Sequence, residues 1–172
     1  YEIGVRLVGS EMCIRDSNVI DYLNFPERIY PVGRLDKEST GLLLLTNNGQ
    51  LMDDILRGSN YHEKEYIVHV NKPITDSVLQ AMAQGVPILD TITRPCKIRR
   101  MGKDCFYITL TQGLNRQIRR MCEYFDYRVT SLKRIRIMNI ELGSLPVGKW
   151  RELTTSEIKT LKNLAQNKGE AE

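Results

Sequence analysis

Four consecutive leucines, Leu42–Leu45, constrain the fold of this 172-residue chain more than any other feature. A strand made only of apolar residues has no face to turn toward water, so the run up to Thr46 predicts a strand that is buried on both sides. No apolar stretch approaches the roughly 20 residues of a membrane-spanning helix. We therefore expect a globular protein with a layered core, and we exclude membrane, collagen-like and disordered chains.

Helices and strands are predicted in an order that does not alternate strictly. Capping residues and apolar periodicity predict helices from Asn18 to Phe25, from Asn48 or Gly49 to about Arg57, from Thr75 to Gly85, from Asn115 to about Phe125, and from Thr154 onward. Strands are predicted over 29–35, 42–46, 64–70, 105–110 and 127–142, with shorter ones within 86–98. This mixture predicts an α+β fold with a central mixed, mostly antiparallel sheet flanked by helices.

The first 17 residues are treated apart from the rest. They show neither a helical nor a strand period, and Val5–Ser17 resembles the translated adapter sequence that contaminates some genome assemblies. We expect a non-native leader over 1–17, with native N-terminal residues missing, and leave it out of the fold prediction. The remaining chain is expected to form one domain over 18–166 and a frayed tail over 167–172.

The cysteines and histidines do not form a common zinc module. The cysteines include no Cys-x-x-Cys pair, and both histidines fall on what reads as one strand (Cys13, Cys96, Cys105 and Cys122; His62 and His69). A zinc ribbon or zinc finger cannot be built from this set, and no metal site is predicted. Charged residues interrupt the apolar residues at the start of the chain, so no secretory signal is predicted. We expect reduced thiols and a cytoplasmic protein.

Positive charge is concentrated in residues 94–136, here called the basic segment. It contains twelve Lys or Arg against three acidic residues, a net +9, whereas the whole chain carries +4. Arginine predominates there, which favours bidentate contacts with phosphate. A polyanion is the expected partner, although a solvated basic face is an equally compatible interpretation.

Asp36 is the first candidate for chemistry. It lies in a polar loop between Gly33 and Gly41, after one predicted strand and directly before the leucine strand. That position is at the rim of a sheet, where a substrate can reach the carboxylate. An ordinary turn aspartate is the alternative.

Arg116, Arg119 and Arg120 are the second candidate. Their i, i+3, i+4 spacing places them on one side of a helix start. Cations at a helix N-terminus oppose the helix dipole, so their position indicates a nearby anion, either a phosphate or an acidic side chain. A solvated basic turn remains the alternative.

Other signatures of catalysis are weak or absent. The sequence contains no phosphate-binding Gly-Lys loop, no dinucleotide-binding glycine pattern and no Gly-x-Ser-x-Gly elbow. A metal-dependent nuclease would need converging carboxylates, and the pairs Asp36/Glu38 and Asp53/Asp54 are too scattered to favour one.

Three segments together resemble the catalytic motifs of the bacterial RsuA-type family of RNA pseudouridine synthases. They are Gly33–Asn47, Glu63–Tyr66 and Gly113–Met121, which agree with that family in order, spacing and residue type. The resemblance extends from about Asn18 to about Leu164, and the first motif matches almost throughout. Asn115-Arg116 and His62–Tyr66 are most similar to the large-subunit ribosomal RNA pseudouridine synthase F branch.

The resemblance implies a pseudouridine synthase catalytic fold with a cleft for a uridine flipped out of RNA. Asp36 would be the catalytic aspartate, acting at the ribose while the glycosidic bond breaks and C5 of the base rejoins C1′. Arg119 would pair with Asp36 and lower its pKa, and Tyr66 would stack on the base. RNA contacts are implied for Arg34, Lys64, Asn115, Arg116, Gln117 and Arg120. No cofactor and no metal are implied.

The resemblance also implies partners. Large-subunit ribosomal RNA is the expected substrate, with transfer RNA left open as a second one, and the protein is expected to be a monomer away from membranes. Members of this branch begin with a small basic domain of the S4 type and an Asn-Lys-Pro-x-Gly strand, and residues 1–17 stand in that place. Reduced RNA affinity is therefore expected. A catalytically inactive RNA-binding fragment or ribosome assembly factor is the alternative function.

Overall fold

A computed structural model describes residues 5–7, 23–57 and 61–167. The strands are β1 (Val5–Leu7), β2 (Tyr30–Val32), β3 (Ser39–Thr46), β4 (Lys64–Val70), β5 (Pro87–Ile88), β6 (Thr91–Ile92), β7 (Lys97–Arg100), β8 (Cys105–Leu110), β9 (Val129–Ile137), β10 (Ile140–Glu141) and β11 (Trp150–Arg151). The helices are α1 (Gly49–Leu56), α2 (Asp76–Gln84), α3 (Gln117–Tyr124) and α4 (Thr155–Gln166). None of the helices in these ranges is long and apolar enough to cross a membrane.

Nine of the strands form one sheet. Its order is β11-β1-β3-β9-β4-β8-β7, with β2 paired to β3 and β10 paired to β9. β3 and β9 run parallel, whereas the other described pairs in this sheet are antiparallel. The predicted α+β class with a mixed, mostly antiparallel sheet is therefore confirmed. The parallel pair is important for the site because it joins the Asp36 loop to β9.

The leucine strand is buried on both sides, as predicted. Leu42 and Leu44 pack in one hydrophobic cluster with residues of α1 and α4, whereas Leu43 and Leu45 pack with Ile29 in another. A third cluster joins β4 and β8 to α2 and α3. Hydrophobic clusters thus cover both faces of β3. The polar N-terminal end of this strand lies at the cleft described below.

Several element boundaries differ from the prediction. The strand expected over 29–35 is only β2, and β3 begins at Ser39, so the loop between them covers residues 33–38. Backbone pairing with β9 extends β3 through residues whose polar side chains suggested a loop. His62 lies before β4, not on it. Residues 18–22 of the helix predicted over 18–25 lie outside the described residues.

The predicted N-cap at Asn115 is wrong. α3 begins after Arg116, whose φ of 49° is in the left-handed region, and the structure gives this cap no side-chain hydrogen bond. The amide of Asn115 instead accepts from the guanidinium of Arg120. By contrast, the predicted capping box of Thr154 and Glu157 at the start of α4 is present in full.

The ends of the chain are only partly described. Val5–Leu7 of the predicted leader forms β1, which pairs with β3 and β11. The rest of residues 1–17 lies outside the described residues, and so does the tail after Asn167. The domain boundaries at 18 and 166 stay predictions.

Candidate active site

A cleft of about 590 Å³ opens where the loop after β2, the starts of β4 and α3, and β9 meet. Most of the residues predicted from the sequence line it, namely Arg34, Asp36, Lys64, Tyr66, Asn115, Arg116, Gln117 and Arg119. Arg120 is not among the lining residues, because its guanidinium is turned back onto the carbonyl and side chain of Asn115. Three segments that are distant in the sequence therefore meet in one cavity.

Asp36 and Arg119 form a bidentate ion pair in this cleft. Arg119 donates from Nε to Asp36 Oδ2 at 3.1 Å and from Nη2 to Asp36 Oδ1 at 3.2 Å. Ser39 Oγ donates to Oδ1 at 2.6 Å, and the Glu38 amide donates to the same oxygen at 3.1 Å. The side chain of Arg119 is 8% exposed and that of Asp36 is 23% exposed, so the carboxylate faces the cavity from a fixed position.

These contacts keep Asp36 ionised. Partial burial raises the pKa of the carboxyl, but the hydrogen bonds from Arg119 and Ser39 and the charge of Arg119 outweigh it. The net result is a pKa below the ordinary aspartate value of 3.8. An oriented carboxylate at neutral pH can act as a nucleophile or as a general base.

The backbone holds the Asp36 loop from both sides. Gly33 has a φ of 85°, which side chains other than glycine rarely adopt, and the Asp36 carbonyl accepts from the Ser39 amide at 3.0 Å. Gly41 has a φ of 111°, and a Cβ there would overlap the Arg134 carbonyl. The loop therefore leaves β2 at Gly33, and the strand that follows it, β3, lies tightly against β9 at Gly41.

Tyr66 lies on β4 directly across from Arg134 of β9 and Ile108 of β8. Its ring is partly buried and packs against the β4–β8 hydrophobic cluster. Since cross-strand partners share a face of the sheet, Tyr66 and Arg134 stand side by side at the floor of the cleft.

The anion indicated by the arginines at the start of α3 is an acidic side chain. Arg116 donates to Glu38 Oε2 at 3.1 Å, and Arg119 pairs with Asp36 and lies 3.8 Å from the same Glu38 oxygen. The loop carboxylates thus compensate cations that would otherwise oppose the dipole of α3.

Gln117 lines the cleft, as predicted, but its side chain is also tied into the loop before α3. It is 4% exposed, and its Oε1 accepts from the Leu114 amide while its Nε2 donates to Gln112. Its amide is therefore used to shape the loop before α3, which leaves Asn115 and Arg116 at the rim. The RNA contact of Gln117 stays a prediction.

Two cleft residues were missed by sequence reasoning. Ser39 lies within the first motif but was not singled out, because a hydroxyl after a polar loop is common. Arg134 counted only as one member of the basic segment, yet it is 3% exposed and donates to the Leu42 and Arg34 carbonyls at 2.8 and 3.3 Å. The alternation of side chains along β9 could have placed Arg134 on the same face as Tyr66, but only if the pairing register of β9 with β4 had been known.

One group of metal-ligand types lies elsewhere. The ligand atoms of His69, Asp104 and Cys105 fall within 4.8 Å of one another. His69 is an odd number of residues from Tyr66 on β4, so the group lies away from the cleft and adds nothing to its chemistry.

The sequence profile of the family described as RNA pseudouridylate synthase matches residues 9–124, which is most of the chain and includes Asp36, Tyr66 and Arg119. The chain belongs to this family. The family predicted from the three motifs is thus confirmed.

Relatives within the RNA pseudouridylate synthase family agree with the predicted branch. The dual-specificity RNA pseudouridine synthase RluF of Salmonella typhi is 55% identical over 149 residues, which are 87% of this chain and 52% of that protein. The ribosomal large subunit pseudouridine synthase B of Bacillus subtilis is 34% identical over 152 residues, 85% of this chain and 62% of that protein. The chain spans about half the length of the RluF relatives.

A solved structure supports the same fold. The crystal structure of a pseudouridylate synthase matches with a TM-score of 0.82 at 26% identity, over 93% of this chain and 73% of the other. The pseudouridine synthase catalytic fold predicted from the motifs is therefore confirmed as well.

Proposed function

We propose that this chain is the catalytic part of an RNA pseudouridine synthase that isomerises a specific uridine of large-subunit ribosomal RNA. The observation that carries the proposal is the ionised Asp36, held by Arg119 and Ser39 in the cleft that also contains Tyr66. The family membership and the similarity to RluF and to a large-subunit synthase support it.

In the proposed reaction a uridine is flipped out of the RNA and stacks on Tyr66. The Asp36 carboxylate either attacks C1′ or removes the proton from C2′, and the bond between C1′ and N1 breaks. The base then rotates, C5 bonds to C1′, and the C5 proton is lost, with Tyr66 placed to assist. The product has the same atoms as the substrate, so the reaction consumes no cofactor.

The residues at the rim would bind the RNA. Arg34 lies two residues before Asp36, Asn115 and Arg116 lie just before α3, and all three line the cleft. Arg120 would act through Asn115, which its guanidinium holds. Transfer RNA is a second substrate to be tested, and we propose a monomer that works in the cytoplasm.

A second candidate function is RNA binding without turnover, as a fragment or as a ribosome assembly factor. The observation that favours it is the basic rim with Arg34 and Arg116, because these cations can bind phosphate whether or not Asp36 takes part in turnover. This candidate keeps the basic rim but makes Asp36 dispensable.

Tritium release from large-subunit ribosomal RNA labelled at C5 of uridine tests both candidates. The proposal predicts release by the wild type and by Asp53→Asn, which alters an exposed carboxylate of α1. Asp36→Asn is expected to lose turnover while keeping its RNA affinity, since the carboxylate binds Arg119 and not the phosphates. Equal release by wild type and Asp36→Asn would remove the mechanism. Binding without release by any variant would favour the second candidate.

A further inference from the structure

Two cations of the cleft, one buried and one partly buried, have no counter-charge among the described residues. Arg134 is 3% exposed, and its Nη2 is buried with no hydrogen-bond partner. Lys64 is partly buried, and this burial together with the charge of Arg134 lowers its pKa. Neither forms an ion pair with a carboxylate in the part of the chain that the structure describes. A buried, unpaired charge is costly, so the site is built for something negative that comes from outside.

The two cations are next to the position of the base. Arg134 is the cross-strand partner of Tyr66, and Lys64 precedes Tyr66 by two residues on β4, so all three side chains share one face. All three also line the cleft. A base stacked on Tyr66 would turn its edge toward them. Phosphates would instead be nearer the rim, because Arg134 lies at the bottom of the cavity.

We infer that Arg134 and Lys64 form a binding site for the negatively charged pyrimidine that exists while the base is detached from the ribose. The inference rests on the proposed function and extends it. The fixed N–H groups of Arg134 and the ammonium of Lys64 face a carbonyl oxygen of the base. They bind it more strongly as it gains charge, which is the arrangement that lowers a barrier.

The charge follows from the bond changes. When the bond between C1′ and N1 breaks, its electron pair stays with N1, and the base becomes an anion whose charge spreads onto its carbonyl oxygens. Asp36 stabilises the ribose side of the same break. When C5 bonds to C1′ and loses its proton, N1 takes up a proton and the ring is neutral again. The net change is an isomerisation.

Arg134 also has a structural role, and the test must distinguish this role from binding of the base. It also donates to the Leu42 and Arg34 carbonyls, so its loss can disturb the Asp36 loop. Lys64 has no such contact with that loop among the described hydrogen bonds, and Lys64→Met is therefore the cleaner variant. Lys159→Met, which removes an exposed lysine of α4, is the matched control.

The first measurement uses free bases and needs no turnover. 5-Nitrouracil is an anion at neutral pH, whereas uracil is neutral, and the two have similar shapes. NMR titration of the full chain is expected to show preferential binding of 5-nitrouracil by the wild type and by Lys159→Met. Lys64→Met and Arg134→Lys are expected to lose at least tenfold of this preference. Equal binding of both bases by the wild type would overturn the inference.

The second measurement is kinetic. Lys64→Met and Arg134→Lys are expected to lower kcat by roughly 10- to 1,000-fold, with the Kd for RNA within about threefold of wild type. The loss is expected to shrink with 5-fluorouridine RNA, followed by consumption of that nucleoside, because its base is a more stable anion. A loss of RNA affinity with unchanged kcat would instead assign the cations to phosphate.

The two measurements separate the inference from the proposed function. A wild type that prefers 5-nitrouracil but releases no tritium would keep the anion site and remove the proposed function. Normal turnover without a preference for 5-nitrouracil would keep the function and remove the site.

Discussion

At the scale of single residues, the ionisation of Asp36 depends on Arg119. Burial by itself raises the pKa of the carboxyl, and the guanidinium is the main opposing influence. With its pKa below 3.8, the ion pair stabilises the fold fully above about that pH. This contribution is lost as the pH falls through the lower folded pKa, where the native carboxylate is protonated.

Replacing Arg119 tests this dependence. We expect Arg119→Gln to raise the pKa of Asp36 above 3.8, because burial is then opposed mainly by Ser39. Turnover is expected to fall by roughly 100-fold or more, since the carboxylate also loses its two-point anchor. A pH titration of the ¹³C-labelled carboxyl by NMR measures the first effect.

The matched control is Arg116→Gln, whose guanidinium donates to Glu38 and is exposed. It is expected to shift the Asp36 titration much less than Arg119→Gln does. Equal shifts in the two variants would mean that net charge, and not the direct contact, holds the carboxylate ionised.

Residues differ in how well a single sequence reveals them. Asp36, Tyr66 and Arg119 lie in motifs, so each could be named before the fold was known. Arg134 could not, because its importance comes from hydrogen bonds to the Leu42 and Arg34 carbonyls, which are 92 and 100 positions away in the chain. Ser39 lies in the first motif, but its contact with Arg119, 80 positions away, appears only in the folded chain. A shift of one residue in the register of β9 would turn the Arg134 side chain from the cleft to the opposite face of the sheet.

At the scale of elements, capping rules that use only neighbouring residues predict the start of α4 correctly but fail at the start of α3. The capping box of α4 depends on residues three apart and was predicted correctly. The start of α3 was placed at Asn115, but the chain turns at Arg116 in a left-handed conformation so that Arg119 and Arg116 reach the Asp36 loop. Tertiary ion pairs there replace the local cap.

The capping box makes a pH-dependent contribution to stability. Glu157 accepts from the Thr154 amide at 2.8 Å and from Arg151 at 2.7 and 2.8 Å. The hydrogen bond from Arg151 is the main cause that lowers the pKa of Glu157 to about 2 from its ordinary 4.5. The unfolded chain therefore binds more protons between these values, so this contribution is complete above pH 4.5 and is lost toward pH 2.

Glu157→Gln tests that contribution. At neutral pH we expect the free energy of unfolding to fall by about 1 kcal/mol, the usual scale of a helix cap with a partly exposed ion pair. The difference from wild type should become small as the pH falls to about 2, because Glu157 of the folded protein then becomes protonated as well. Urea denaturation at several pH values measures it, with Glu152→Gln as the control. A difference that persists unchanged to pH 2 would contradict the assignment to charge.

At the scale of the whole molecule, the basic segment does not form one continuous track. Five of its cations are paired with carboxylates, namely Lys97, Arg100, Arg116, Arg119 and Arg136. The remaining cations of this segment do not all lie on the same face of the sheet. Arg99 and Lys133 share the face away from Tyr66, because Tyr107 and Ile67 link them as successive cross-strand partners. The composition shows that this segment carries excess positive charge, but only the strand order shows on which face of the sheet each basic side chain lies.

Arg128 remains on the cleft side. It lines a groove beside the cleft together with Glu38, Arg116 and Arg119, and its side chain forms no ion pair within the described residues. Lys133 on the opposite face is also exposed and likewise unpaired in that part of the chain. The two cations therefore differ mainly in position, which makes them a matched pair for locating the RNA.

If RNA crosses the cleft side, the two substitutions will have different effects. Arg128→Gln is expected to weaken RNA binding and to reduce the slope of log affinity against log salt concentration by about 1, the release of one counterion. Lys133→Gln is expected to leave both nearly unchanged. Filter binding with large-subunit ribosomal RNA over a series of salt concentrations measures the slopes. Equal losses in the two variants would mean that RNA responds to net charge alone, whereas a larger loss in Lys133→Gln would place the RNA on the face away from Asp36.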